Sequence, residues 1–485
     1  MRIRSVKFNF IMNFLLTASS IIFPLITFPY VSRVLQAAGN GKVAFATAVL
    51  TYFTMFASLG IPTYGIRVCA QVRDDREKLS RTVQELLIIN TITMVIVYAV
   101  FAVMVFLVPE FAKEKELLFI NSITMVLNVF GVSWLYSALE QYAYITACSL
   151  TFKVISIVMM FAWVKNPKDY IIYGAITVFA SAGSYVLNFI NLHKYVTLKK
   201  KGPYNFKRHL KPIGIFFAMS AATSVYTNLD VVMIQFIKDE TEVGYYNAAV
   251  KVKTILVSLI TSLGTVLLPR LSFYVKQKEQ DAFRKTIVKA FNFVLILASS
   301  VMLYFMIFAR ETILTLSGSE YLPSILPMIL LMPTVLFIGL SNITGIQILT
   351  PLGREREVLI SIICGAVVDF VLNLILIGRY GASGAAFATL LAELIVLAVQ
   401  CVYLKDMLSK VVREISLGKT AAALTAAGIV GGILKMQLEL PSFVMICITG
   451  VAFYGVFGMA LLLLKEPFVM EMWEMVKNML YKGYK

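Results

Sequence analysis

Charged side chains set inside long apolar runs are where this sequence concentrates its capacity for chemistry. Lys153 stands about eleven residues into such a run, about 16 Å deep at 1.5 Å per residue, too far for its stem to reach an interface comfortably. Lys251 and Lys253 occupy another run about 12 to 15 Å from its end, and being two apart they cannot share one helix face. Asp230, Asp369 and Glu393 are the acids at comparable depth, so three cations stand against three acids. A charge held in hydrocarbon needs a partner, a water-filled cavity or a visiting counter-ion. Two readings follow: ion pairs that lock helices together, with Asp230 and Lys251 foremost, or cavity sites where cations hold an anionic substrate group and the acids bind a coupling proton or sodium ion. For Lys153, which has no acid at similar depth in its own or the adjoining runs, the cavity reading leads. Arg33 and Lys42 flank an early loop, and Arg67 and Arg270 close two runs; each is either a solvated charge or a phosphate contact at a mouth. Tyr142, with Trp134, Tyr136, Tyr144 and Tyr226, suits either an interfacial belt, the more frequent role, or stacking on sugar rings.

The elements that must position these residues are membrane helices. Of 485 residues, 59% are hydrophobic and 15% charged, with mean hydropathy +0.81; a soluble domain holds about 45–50% and 25%. Polar breaks divide the chain into fourteen apolar stretches, each long enough for a span: 9–31, 43–66, 83–108, 117–139, 143–163, 170–192, 212–237, 243–268, 286–309, 322–349, 358–378, 382–404, 418–436 and 442–464. With the N-terminus inside, 29 of the 44 lysines and arginines fall on the cytoplasmic side, nine outside and six within spans, which orients both termini to the cytoplasm. The net charge of +17 is thus a topology signal; no basic domain able to read nucleic acid exists. The longest polar stretch, His193 to Pro212, is too short for an ATPase or a catalytic domain. The five cysteines, 69, 148, 364, 401 and 447, are isolated in apolar sequence and read as small buried hydrophobes, with neither disulfide nor metal site expected. Arg2, Arg4 and Lys7 precede an apolar stretch too long for a signal peptide, which reads as a first span that stays.

Sliding the first half by 203 residues places Gly41 on Gly244 and Arg67 on Arg270, an internal repeat of six spans. The expected organisation is a six-helix lobe over 1–192, a basic cytoplasmic linker over 193–211 around Lys199, Lys200 and Lys201, a second lobe over 212–405, and two extra helices with a tail over 406–485. In that tail Phe468, Met472, Trp473, Val476 and Leu480 recur at helical spacing, predicting an amphipathic helix in the cytoplasmic interface.

Several blocks carry a family resemblance. Trp134-Leu-Tyr-Ser-Ala-Leu-Glu140-Gln-Tyr142-Ala-Tyr-Ile-Thr146 with Lys153-Val-Ile-Ser resembles the signature of bacterial polysaccharide flippases, of the multidrug/oligosaccharidyl-lipid/polysaccharide exporter superfamily. Phe28-Pro29-Tyr-Val-Ser-Arg33-Val-Leu, Gly244-Tyr-Tyr-Asn-Ala-Ala-Val-Lys251, Gln347-Ile-Leu-Thr-Pro351-Leu-Gly353-Arg354, and Asn373 with Gly381, Gly384, Ala385, Ala386 and Glu393 agree with it. Gln36-Ala-Ala-Gly39 departs from it, standing where a glycine-rich start is expected.

The resemblance implies an all-α polytopic fold of two six-helix lobes in a V-shaped, alternating-access arrangement. It also implies a flippase, not an enzyme, that moves undecaprenyl-diphosphate-linked oligosaccharide across the bacterial cytoplasmic membrane. It implies no cofactor beyond possible coupling to H+ or Na+, and partners drawn from lipid-linked oligosaccharide, membrane lipid, and polysaccharide polymerase and chain-length proteins. The substrate's diphosphate would meet cations such as Lys153 and Arg33. Three alternatives stand beside it. A flippase for the peptidoglycan lipid precursor shares the span count and a cationic cavity. A drug/cation antiporter shares the fold but would favour acids at depth, and a polymerase or ligase would need a large outer loop, whereas the longest here, Arg310 to Tyr321, is about a dozen residues.

Overall fold

The computed structural model describes residues 6–199 and 202–482. Arg2, Arg4, Lys200 and Lys201 lie outside the described residues, as do the side chains of Tyr226, Val476 and Leu480. Apolar sequence gives helices here because every backbone N–H and C=O away from water must be bonded within its own segment. The contacts divide the chain into two compact units, Met1–Gly244 and Tyr245–Lys485.

The first unit holds α1 (Val6–Ser58), α2 (Ile61–Gln71), α3 (Arg76–Leu107), α4 (Pro109–Lys113), α5 (Lys115–Gly131), α6 (Ser133–Ala138), α7 (Tyr142–Trp163), α8 (Tyr170–Asn191) and α9 (Lys207–Ile237). Helix α1 is the spine, packing against α3, α5, α7, α8 and α9, while α5 and α7 both pack on α8. The start of α3 is set by Asp75, whose carboxylate accepts from the backbone N–H groups of Glu77 and Lys78. The second unit holds most of α10 (Glu240–Gln277), then α11 (Gln280–Ile307), α12 (Ala309–Leu316), α13 (Ile325–Ser341), α14 (Glu355–Tyr403), α15 (Lys405–Val412), α16 (Leu417–Gln437), α17 (Ser442–Leu463) and α18 (Pro467–Lys482). Here α13 packs on α11 and α14, and α16 with α17 closes a core of Tyr304, Phe308, Phe453 and Phe457.

Every one of the fourteen apolar stretches falls on helix, but not one stretch to one helix. Among the described residues ten helical segments are long and apolar enough to cross a membrane, and two of them are continuous over pairs of expected spans, Ile11–Gln71 and Glu355–Tyr403. The expected loops are single-residue breaks. Gln36 breaks α1 with φ 62, and Gly381 breaks α14 with φ 52. Glycine adopts that left-handed backbone freely; glutamine does not, so the departure from the glycine-rich pattern leaves a strained residue. The Asn40 side chain donates to the Gln36 carbonyl at 3.1 Å across the break. The cysteines are all free, but only Cys69 is fully buried and Cys447 is exposed, so the expectation of five buried hydrophobes fails: Cys447 lies on an outward face of α17, where an apolar thiol needs no protein cover. The tail is the helix α18, with Met472 and Trp473 exposed.

Gly41 and Gly244, paired by the 203-residue repeat, also meet in space. A Cβ at Gly41 would collide with the carbonyl oxygen of Glu240, and one at Gly244 with that of Ala37. Since the repeat maps Ala37 on Glu240 and Gly41 on Gly244, the contact is reciprocal, as an interface between equivalent elements must be. Only glycine lets the two backbones approach this closely.

Candidate functional site

Within the first unit, five helices enclose a cavity of about 460 Å³. Helix α1 contributes Thr47, Thr51, Thr54 and Ser58, α2 contributes Thr63, α5 contributes Asn121 and Thr124, α8 contributes Thr177 and Ser181, and α9 contributes Ser220 and Ser224. Ten hydroxyls and one amide face this space, with Leu50, Met55, Pro62 and Val178 as apolar patches; among the described residues the lining includes no ionisable and no aromatic side chain. Helical periodicity makes the wall, because residues three or four apart share a face. Several hydroxyl hydrogens are already used: Thr47 donates to the Val43 carbonyl, Thr51 to that of Thr47, and Ser181 to that of Thr177, each at 2.8 Å, while Thr177 donates to that of Gly174 at 2.7 Å. Their lone pairs are what remains for a ligand.

The same unit carries its charge elsewhere. Glu85 of α3 is fully buried, and its Oε2 accepts from Arg208 Nη2 at 2.6 Å and lies 2.8 Å from His209 Nε2. Its Oε1 accepts from the backbone N–H of Asn205 at 2.7 Å and from Arg81 Nε at 3.2 Å. His209, also fully buried, has Nδ1 2.8 Å from the hydroxyl of Tyr64. Burial lowers the His209 pKa, the Glu85 carboxylate raises it, and the Arg208 charge lowers it; the balance lies below the usual 6.5. Both ring nitrogens are engaged, Nε2 between Glu85 and the Nε of Arg208 at 3.1 Å, and Nδ1 with Tyr64. Gln84 extends this knot by donating to the carbonyls of Thr197 and Lys199 at 2.5 and 3.0 Å, while Tyr204 donates to Gln84 at 2.9 Å. The linker that precedes α9 is thereby tied along α3.

The residues singled out from sequence lie apart from the cavity lining. Lys153 is half-buried on α7, and its ammonium donates to Ser19 Oγ at 2.8 Å and Ser20 Oγ at 3.0 Å of α1; among the described residues it makes no ion pair. Arg33 is exposed and donates to its own Pro29 carbonyl at 2.5 Å. Lys42, open to solvation or phosphate in the sequence reading, pairs with Glu114 at 2.7 Å and stands over the Tyr170 ring. Arg67 is exposed on α2, Tyr142 is half-buried at the start of α7, and Asp230 is buried on α9. In the second unit Lys251 and Lys253 are half-buried on α10, while Asp369 and Glu393 are buried on α14, with Asn373 donating to Asp369 at 3.2 Å. Arg270 donates to Tyr274 at 2.7 Å and lines a separate cavity of about 560 Å³ with Lys285, Lys289 and Glu471. Trp134 and Tyr136 form neither belt nor sugar platform: both are buried, Tyr136 donates to the Asn188 carbonyl at 2.6 Å, and Trp134 covers Gly65.

The family described as polysaccharide biosynthesis protein matches residues 6–275, more than half of the chain. The chain belongs to that family. The chain is 24% identical over 413 residues to a protein of Escherichia coli (strain K12) named for O-antigen transport, covering 83% of this chain and 97% of that one. Its fold is that of the lipid II flippase MurJ in an inward-closed conformation, with TM-score 0.75 at 14% identity over 93% of this chain and 98% of that one. It is also that of an inward-facing multidrug resistance MATE family transporter of the MOP superfamily, with TM-score 0.60 at 11% identity over 80% and 95%. With ten long apolar helical segments among its described residues, the chain is a multi-pass membrane protein.

Two groups escaped the sequence reading. The cavity hydroxyls had a signal: Thr47, Thr51, Thr54 and Ser58 repeat at one-face spacing, as do Thr177 with Ser181 and Ser220 with Ser224. A hydroxyl in an apolar run is inexpensive, so it carries a weaker signal than a charge at the same depth. Glu85 had a signal too, an acid just inside an apolar stretch, but its partners lie about 120 residues away in sequence.

Proposed function

We propose that this protein is a flippase for lipid-linked oligosaccharides, carrying undecaprenyl-diphosphate-linked repeat units from the cytoplasmic to the outer leaflet of the bacterial cytoplasmic membrane for surface polysaccharide assembly. The observation that carries this reading is the hydroxyl-lined cavity: a membrane-embedded unit with ten Ser and Thr side chains on one space, beside the apolar patches of Leu50, Met55, Pro62 and Val178, suits a sugar, which has both hydroxyls and apolar ring faces. Family membership and the relative named for O-antigen transport point the same way.

In this reading the two six-helix lobes are 1–192 and 212–405, both termini are cytoplasmic, and the lipid tail stays in the bilayer. Transport proceeds by alternating access driven by an ion or the membrane potential. Lys153, held by two neutral serine oxygens, is the contact proposed for the diphosphate, with Arg33, Arg67, Arg270, Lys251 and Lys253 as further contacts on the route. Asp230, Asp369 and Glu393 are the acids proposed for ion coupling. The polymerase and chain-length proteins of the pathway would take the product.

The test is deletion of the gene followed by complementation, with surface polysaccharide and cytoplasmic-face lipid-linked units measured per inserted protein. Loss of the polymer with accumulation of unflipped units, reversed by wild type and not by Lys153→Ala, is the expected outcome. Unchanged surface polysaccharide, or a block in peptidoglycan precursor export instead, would contradict it.

A further inference from the structure

The lining of the first unit's cavity carries information about the sugar, and this step rests on the flippase reading above. Among the described residues every polar group on the wall is neutral, although the chain as a whole carries 71 charged side chains. Thr47, Thr51, Thr177 and Ser181 have their hydrogens committed to helix carbonyls and present acceptor lone pairs. Ser58 is more than nine-tenths buried and lines the cavity. Asn121, equally buried, uses its amide nitrogen on the Leu117 carbonyl at 2.9 Å. These four committed hydroxyls and the amide oxygen of Asn121 form a surface that takes hydrogen bonds from a ligand.

A sugar hydroxyl both donates and accepts, so it satisfies such a wall in either sense. A carboxylate or phosphate only accepts. It would meet the committed lone pairs head-on and lose its hydration with no cation on the lining to replace it. We infer that this cavity is a subsite for uncharged, hydroxyl-bearing sugar residues and that it discriminates against sugars carrying a uronic acid or phosphate. The diphosphate of the carrier is held outside this subsite, consistent with the placement of Lys153 away from its lining.

The experiment uses the full-length protein in liposomes with two probes: an undecaprenyl-diphosphate-linked neutral oligosaccharide, and the same molecule with one hexose replaced by its C6 uronic acid. Wild type is expected to translocate the neutral probe at least about tenfold faster, the ratio set by roughly 1.4 kcal/mol of uncompensated charge burial. Thr54→Lys, which adds a cation to the wall, is expected to narrow or reverse that preference, and Thr54→Gln, of comparable length without charge, to leave its direction unchanged. Equal or faster passage of the acidic probe through wild type would overturn the inference while leaving the flippase reading intact. Passage of neither probe through inserted, monodisperse wild type would overturn the flippase reading and the inference with it.

Discussion

The first unit contains two polar regions built on opposite rules. The cavity gathers hydroxyls from five helices and excludes charge, whereas the knot around Glu85 gathers an acid, two arginines and a histidine and leaves the acid fully buried among them. Both use α2 and α9: Thr63 and Ser220 face the cavity, while Tyr64 and His209 face the knot. The difference follows from what each must do. Buried ion pairs are expensive to break, so they fix a chain segment in place, here the linker before α9. Hydroxyl contacts are individually weak and interchangeable, so they can hold a cargo that must later leave.

Breaking the knot should have the largest effect on folding. Glu85→Ala leaves Arg208 and the neighbouring groups without their acceptor and should cost about 3–5 kcal/mol, read as thermal unfolding in detergent. A loss under about 1 kcal/mol would mean the knot does not hold the linker. Next is the reciprocal glycine contact. Gly41→Val and Gly244→Val should each cost about 1–3 kcal/mol, by similar amounts because each Cβ strikes the counterpart's carbonyl. A large cost at one position and none at the other would break the symmetry of that contact.

The cavity should respond the other way round. Thr51→Val with Thr177→Val removes two hydroxyls at constant shape, and folding should change by about 1 kcal/mol or less while transport of a neutral lipid-linked glycan falls about tenfold. Equal losses of stability and transport would erase the distinction between the two regions. The smallest effect is that of pH on the knot. Burial is the largest influence on His209, depressing its pKa in the folded protein, so the unfolded chain binds the extra proton first as pH falls. Its contribution to stability is present above the ordinary value of 6.5 and is lost as pH drops below it toward the depressed folded value. Thermal unfolding measured from pH 7.5 to 5 should show that loss, and His209→Gln should flatten it.

Much of this was legible in the sequence for a stated reason. The apolar stretches, the family blocks and the 203-residue repeat are written in composition and spacing, and each stretch lies on helix. The merging of two pairs of stretches into continuous helices was not legible, because Lys42 and Arg379 mark loop-like polarity while the backbone turns at the single residues Gln36 and Gly381. Charges at depth were read as the cavity, yet Lys153 settles against two serines of α1, since an ammonium finds the nearest oxygens whether or not they line a space. Trp134 and Tyr136 looked like surface aromatics from their place near stretch ends, and packing against Gly65 and the Asn188 carbonyl buries them.

The central claim, that the sugar rides in the charge-free cavity of the first unit, is tested most directly by where a bound glycan touches the chain. A neutral undecaprenyl-diphosphate-linked oligosaccharide carrying a photoreactive group on its terminal sugar, added to the full-length protein in nanodiscs, should label peptides spanning 47–58 and 177–181, with labelling lost in the Thr51→Val, Thr177→Val protein. Labelling confined to other segments, unchanged by those two substitutions, would contradict the account.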